Sequence, residues 1–334
     1  MKKTIRMGIL GAGSVGSLFG GRLAAIESKN FSIEMTFICR KNNAEAIEKN
    51  GLVIQFQEKR IQVPNIRAVH NPDVLDGELF DYIFLTTKAY DSACTLKEYR
   101  AIVSNCRFLI ILQNGIGNEE IVSEFCNQAK IIRCVTTEGA FLLSPGHLLH
   151  TGLGYTKIGF PFINIEEEKH APQRDGIEQL YRLLCLAGFD TTLSQNIINE
   201  SWEKIFVNIG INPFGALTRL RNGDLLKNED LKALMADAVI EALKVAEARG
   251  LVLPDRDYVS NMFDVAKNTA DNQNSMLQDI LKKKKTEIEF INGRIVAYAK
   301  ELGLNVPINA LLTVLIERLE ASYMKDSSST LTVI

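Results

Sequence analysis

The chain has 334 residues, with 40 acidic and 38 basic side chains and a formal charge of −2, so bulk charge gives no case for a nucleic-acid or anionic-membrane partner. That length suggests about two domains, each large enough for its own core, and no unbroken apolar run is long enough to span a bilayer. Six cysteines (Cys39, Cys94, Cys106, Cys126, Cys134, Cys185) are scattered without a C-x-x-C and mostly lie in or beside apolar runs, which points to a reducing cytoplasm.

From the N-terminus, Ile5 to Leu10 reads as a strand, Gly11-Ala12-Gly13-Ser14-Val15-Gly16 as a glycine-rich turn, Val15 to Ile26 as a helix and Ile33 to Cys39 as a second strand. This is the order a dinucleotide site needs. Gly11 allows the tight turn, Gly13 lets the backbone approach a pyrophosphate, and Gly16 lets the helix pack close to the sheet. The N–H groups at the helix start then face the phosphates. An NAD site places an acid near the end of the second strand, but between Thr36 and Asn43 there is none; Arg40 and Lys41 stand there instead. A guanidinium pairs with a 2′-phosphate where a carboxylate would repel it, so the cofactor reads as NADP(H).

Ala44 to Lys49 reads as a short helix, and Leu52 to Gln57 with Arg60 to Val63 as a hairpin. Asp81 to Thr86 is a buried strand followed by a helix from about Ser92 to Val103, the strand Phe108 to Leu112, and a helix beginning near Asn118. Strands at Ile131 to Thr136, Gly139 to Leu142 and Thr156 to Phe160, the helix Pro172 to Leu186 and the strand Thr191 to Leu193 complete a largely parallel sheet covered on both faces. From Asn196 the pattern turns helical, with long helices at about Asp271 to Leu302 and Pro307 to Met324. The fold class is α/β: a doubly wound, Rossmann-type N-terminal sheet over residues 1–194, an all-helical C-terminal domain over 195–325, and a frayed serine-rich tail over 326–334.

Ligands of open α/β sheets lie beyond the carboxyl ends of the strands, where Lys88 and Asn114 fall. In the helical domain Lys204, Asn208 and Asn212 recur at i, i+4 and i+8, a polar stripe on an otherwise apolar helix. Burying an ammonium and two amides costs several kcal/mol unless each finds a partner, so the stripe reads as the wall of a polar cleft. A second stripe on the long helix carries Ser275 and Asp279 at i and i+4, then Glu287 two turns on; a carboxylate there could satisfy Lys204. The run Lys282 to Lys285 covers little more than a turn and lacks interleaved aromatics, so it reads as a solvated face rather than a nucleic-acid site. His147, His150 and Glu138 lack a convincing third ligand on a defined element, so no metal site is expected.

With these residues in view, the chain resembles the ketopantoate reductases (2-dehydropantoate 2-reductases) over about Ile5 to Met324. The likeness is carried by Gly11 to Gly16, Thr87-Lys88-Ala89, Gln113-Asn114-Gly115, Lys204 to Pro213, and Ser275 to Asp279 followed by Thr286-Glu287-Ile288. It implies NADPH-dependent reduction of ketopantoate to pantoate on the way to vitamin B5 and coenzyme A. By the same resemblance Lys204 is the catalytic lysine and Glu287 its carboxylate partner, with Asn114, Asn208, Asn212 and Ser275 as substrate contacts. Gly11, Ala12, Gly13, Ser14, Val15, Gly16, Arg40, Lys88 and Asn114 are the expected cofactor contacts. The expected partners are a small 2-keto acid and, as a homodimer, a second copy of the chain. One departure stands out: Glu138 occupies a position where many members carry His, which puts a charge in a segment expected to approach the cleft and opens the choice of keto acid. A protein that binds NADPH as a sensor without turnover is the alternative of a different class.

Overall fold

The structure, a computed structural model, describes residues 2–64 and 66–329. Two compact units divide the chain: one runs through Gln113 and resumes from Asn118 to Ile198, and the other takes Asn114–Gly117 and everything from Asn199 onward.

The first unit contains β1 (Lys3–Leu10), α1 (Ser14–Ala24), β2 (Phe31–Ile38), α2 (Lys41–Asn50), β3 (Leu52–Phe56), β4 (Lys59–Val63), β5 (Arg67–Val69) and β6 (Tyr82–Leu85). It continues with α3 (Ser92–Glu98), α4 (Arg100–Asn105), β7 (Phe108–Ile111), α5 (Asn118–Ser123), β8 (Ile131–Thr136), β9 (Gly139–Ser144), β10 (His147–Gly152), β11 (Tyr155–Gly159), α6 (Ala171–Leu186) and β12 (Asp190–Leu193). Eight strands form one sheet in the order β12-β11-β8-β7-β6-β1-β2-β5, parallel except where β11 meets β8. Because side chains alternate along a strand, Tyr82 and Phe84 join Met7, Ile9, Phe108 and Ile110 on one face. Ile83 and Leu85 join Leu109 and Ile111 on the other, so both faces are buried, as the apolar runs require.

A second sheet, β4-β3-β10-β9, packs its Leu52, Ile54 and Leu148 into the core that also holds Leu18, Phe19 and Leu23 of α1. The sequence indicates the β3–β4 hairpin but not β10 or β5. β10 answers the bend at Pro145-Gly146 by pairing antiparallel with β9 and parallel with the remote β3, a partnership that local alternation does not reveal. The single helix expected over Ser92 to Val103 is two, broken at Tyr99 (φ −100°, ψ 27°), whose ring is buried in the core.

The second unit is helical: α7 (Ile197–Thr218), α8 (Asn222–Leu225), α9 (Glu229–Ala248), α10 (Tyr258–Asn268), α11 (Ser275–Leu281), α12 (Asn292–Leu302) and α13 (Pro307–Ser329). The carboxylate of Glu241 on α9 accepts from the N–H groups of Ile308 and Asn309, both at 2.9 Å, capping the start of α13. Asn309 in turn accepts from Asn292 Nδ2 at 3.0 Å, which ties α12 into the same buried network.

Another expectation is corrected. The long helix over Asp271 to Leu302 is interrupted: α11 stops at Leu281, Lys283 takes a left-handed φ of 51°, and α12 starts only at Asn292. Four consecutive ammonium groups, then Thr286 and Ile288 with branched Cβ atoms, disfavour helix between α11 and α12. α13 runs through Ser329, and residues 330–334 of the tail expected to fray lie outside the described part. Among the described residues no helix is long and apolar enough to cross a membrane.

Candidate active site

The glycine turn links β1 to α1. Gly11 has φ +118°, and its carbonyl accepts from Gly13 N–H at 2.9 Å and from Thr86 Oγ1 at 2.6 Å, so the end of β6 braces the turn. A Cβ on Gly16 would lie 2.2 Å from that carbonyl and 2.5 Å from Thr86 Oγ1; only glycine allows α1 this close. Gly13 is different, since a Cβ there would meet nothing within 4 Å. It caps α1 as an exposed residue, and the N–H groups of Ser14, Val15 and Gly16 fall in the first turn, where no carbonyl lies one turn back. An open backbone edge at a helix N-terminus fits a pyrophosphate. Ser14 Oγ accepts from Leu142 N–H of β9 at 3.0 Å, which fixes the hydroxyl at the mouth of the turn. Gly13→Ala is therefore expected to change stability by less than about 0.5 kcal/mol while weakening NADPH binding about 10-fold, a loss of about 1.4 kcal/mol. Fluorescence titration with a parallel thermal melt checks this, and unchanged affinity would remove the pyrophosphate from this turn.

Arg40 is the N-cap residue of α2, just past β2, with a side chain 92% exposed and Nη2 3.8 Å from Asp91 Oδ2. Asn43 of the same helix donates to Ala12 O of the glycine turn at 3.4 Å, which ties the start of α2 to the turn. Lys88 precedes the short 3₁₀ turn Ala89–Asp91 after β6. Beside it Gln113 donates to Thr87 O at 2.8 Å and to Ser92 Oγ at 2.8 Å. Thr86 lies just before Thr87-Lys88-Ala89 and Gln113 opens Gln113-Asn114-Gly115, and the sequence marks neither as a site residue. Their hydrogen bonds brace the glycine turn and the chain beside Lys88.

In the second unit α7 presents Lys204, Asn208 and Asn212 along one face while Ile205, Phe206, Ile209 and Phe214 are buried. Lys204 Nζ donates to Asn114 Oδ1 at 2.7 Å, and Asn114 Nδ2 lies 3.5 Å from Glu287 Oε2. The amide thus stands between ammonium and carboxylate, its orientation set from both sides. Asn114 bonds both the ammonium and the carboxylate that the sequence pairs. It is carried by Asn114–Gly117, in which Ile116 N–H donates to Phe290 O at 3.1 Å. Glu287 is on neither α11 nor α12; it precedes the 3₁₀ turn Ile288–Phe290 and is buried. Ser275 is the exposed first residue of α11, behind its buried cap Asn274, whose Oδ1 accepts from Leu277 N–H at 2.9 Å. Lys204, Asn114 and Glu287 are brought together, and Asn208 and Asn212 extend the same face of α7.

Glu138 lies between β8 and β9. Its side chain is 2% exposed and turned into the first unit, Oε2 lying 2.6 Å from Nε2 of fully buried His150. Arg22 Nη2 donates to His150 Nδ1 at 3.0 Å, so Nε2 carries the proton and donates to Glu138. Burial lowers the Arg22 pKa and the nearby Glu138 charge opposes that. A carboxylate in an apolar interior needs such partners, and here they come from α1 and β10. The Glu138 charge is compensated inside this unit, which removes the reason it gave for doubting the keto acid.

Residues 7–161 match the family described as ketopantoate reductase PanE/ApbA, and residues 196–320 match its C-terminal counterpart. A 2-dehydropantoate 2-reductase of Pyrococcus horikoshii is 36% identical over 315 residues, covering 94% of this chain and 97% of that protein. Among solved structures, the PanE/ApbA family ketopantoate reductase of Ralstonia eutropha superposes with a TM-score of 0.84 at 28% identity, covering 96% of this chain and all (100%) of that one. A D-mandelate dehydrogenase in a ternary structure with NADH and anilino(oxo)acetate gives 0.85 at 25% identity, covering 96% and 99%. The chain is an oxidoreductase of the ketopantoate reductase PanE/ApbA family, whose members depend on NADPH.

Proposed function

We propose that this protein reduces 2-dehydropantoate (ketopantoate) to pantoate with NADPH, in the route to pantothenate and coenzyme A. The observation that carries the reading is the Lys204–Asn114–Glu287 chain, an ammonium 2.7 Å from an amide that also reaches a carboxylate. Bound NADPH supplies a hydride to the 2-keto carbon, and negative charge gathers on the ketone oxygen. The Lys204 ammonium, one of whose three donors bonds Asn114, would stabilise that oxygen and deliver a proton to it as general acid. Glu287 favours the charged lysine and holds the Asn114 amide in register. Asn208, Asn212 and Ser275 supply amide and hydroxyl groups for the carboxylate and hydroxyl of a small branched acid. The glycine turn takes the pyrophosphate on Gly13 and the first turn of α1, with Lys88 near the cofactor.

Steady-state oxidation of NADPH on adding ketopantoate tests the reading, and no turnover despite tight NADPH binding would sink it in favour of a sensor. The D-mandelate dehydrogenase likeness favours one second reading, a different 2-keto acid as substrate. A panel including an aryl keto acid separates the two by kcat/KM. Arg40 is proposed to hold the 2′-phosphate, supported by its place past β2 in a guanidinium that is almost wholly exposed. Arg40→Ala should raise the KM for NADPH about 10-fold or more, since a charged hydrogen bond contributes about 1.5–3 kcal/mol, and leave that for NADH nearly unchanged. Equal effects on both cofactors would dismiss Arg40 as the discriminator.

A further inference from the structure

Glu287 lies between α11 and α12, just ahead of the 3₁₀ turn Ile288–Phe290, where no α-helix holds the backbone in place. The N–H of fully buried Thr286 has its acceptor on another element: Glu320 Oε1 of α13, at 2.8 Å, from a side chain in a residue only 5% exposed. One turn further along α13, Tyr323 Oη donates to Lys284 O at 2.6 Å. Thr286 Oγ1 accepts from Ile288 N–H at 3.2 Å, so the residues on both sides of Glu287 are linked through the one that Glu320 holds. A buried carboxyl aimed at a backbone N–H beside a functional carboxylate has no part in the reaction steps above, and its burial is costly unless it serves that bond.

We propose that Glu320 is the positioning residue for Glu287: by accepting from Thr286 N–H it sets where the Glu287 carboxylate meets Asn114 and, through Asn114, Lys204. The inference rests on the reading of Glu287 as partner of the catalytic lysine. Burial raises the Glu320 pKa, opposed by its hydrogen bonds from Thr286 and by Lys285, with Glu289 adding to the rise. Lys285 is itself paired to Glu289 at 2.9 Å. Either protonation state keeps an oxygen that accepts the N–H, so the role is that of an acceptor in one place and does not depend on charge.

The test compares Glu320→Met, Glu320→Gln, Glu320→Asp and Glu287→Gln in the full-length enzyme, with activity normalised to folded protein. Misplacing catalytic groups by about 1 Å costs up to about 100-fold; Glu320→Met, which fills the space without an acceptor, should lower kcat about 10-fold. The KM for NADPH should stay within about twofold, because the glycine turn is untouched. The alkaline limb of the kcat profile should move to lower pH, since an ammonium whose carboxylate has shifted away gives up its proton sooner. Glu320→Gln keeps the acceptor and should restore kcat to within about threefold of the parent. A merely structural residue would lower the melting temperature and leave the pH limb in place. Parental kcat and pH limb in Glu320→Met, alongside an impaired Glu287→Gln, would overturn the positioning role and leave Glu287 standing. A silent Glu287→Gln would overturn both. Equal losses in the Gln and Met variants would also refute a role carried by the hydrogen bond. If the Met variant does not fold, Glu320→Asp decides, because its carboxylate is withdrawn by one methylene; parental kcat there counts against the proposal.

Discussion

Lys204→Ala should lower kcat by at least about 100-fold, the low end of what a positioned general acid contributes. The ammonium is the group held at 2.7 Å by Asn114 and the only strong proton donor on the polar face of α7. In the proposed mechanism its loss removes both the proton and the positive charge offered to the developing alkoxide, so kcat should fall with kcat/KM. The KM for NADPH should change little, because the glycine turn belongs to the other unit. Lys204→Arg should recover little, since a guanidinium is planar and does not give up its proton near neutral pH. Steady-state kinetics at saturating NADPH measure this, and parental kcat in the alanine variant would remove Lys204 from the mechanism.

The largest expected loss of stability is at Glu119. Its carboxylate, in the first turn of α5, lies 3.2 Å from Nε of Arg133 on β8, and the two side chains are only 6% and 4% exposed. Glu119→Ala removes a buried counter-charge from a guanidinium deep in the first unit, at a cost of about 3–5 kcal/mol. Replacing both partners by apolar residues should recover most of that, because the desolvation of two charges is then no longer required. Urea unfolding of Glu119→Ala and of the Glu119→Leu/Arg133→Met pair checks both statements. A single variant within about 1 kcal/mol of the parent would mean the pair is not buried in solution.

Much of the frame was legible in the residues because its causes are local. Gly11 and Gly16 are demanded by a backbone dihedral and a close approach within one strand–turn–helix, and the apolar runs of β6 and β7 announce a sheet buried on both faces. The Lys204, Asn208 and Asn212 stripe was equally plain, because a helix of 3.6 residues per turn brings i, i+4 and i+8 onto one side.

What the residues left open is what distance in the chain conceals. Asn114 meets Lys204 across 90 residues and Glu287 across 173, so no spacing rule could show that the amide stands between them. Glu287 looked like a helix residue until the lysine run and the breaks around it were seen to end α11. Glu138 reads from the sequence as a charge in a segment near the cleft, and only the fold shows that His150 and Arg22 partner it inside the first unit. By itself the sequence determined the nucleotide turn, the helical stripe and the chemical inventory, because periodicity and φ preferences act over a few residues. Only the tertiary structure decided which buried charges answer which, because each must find its partner wherever the fold places one.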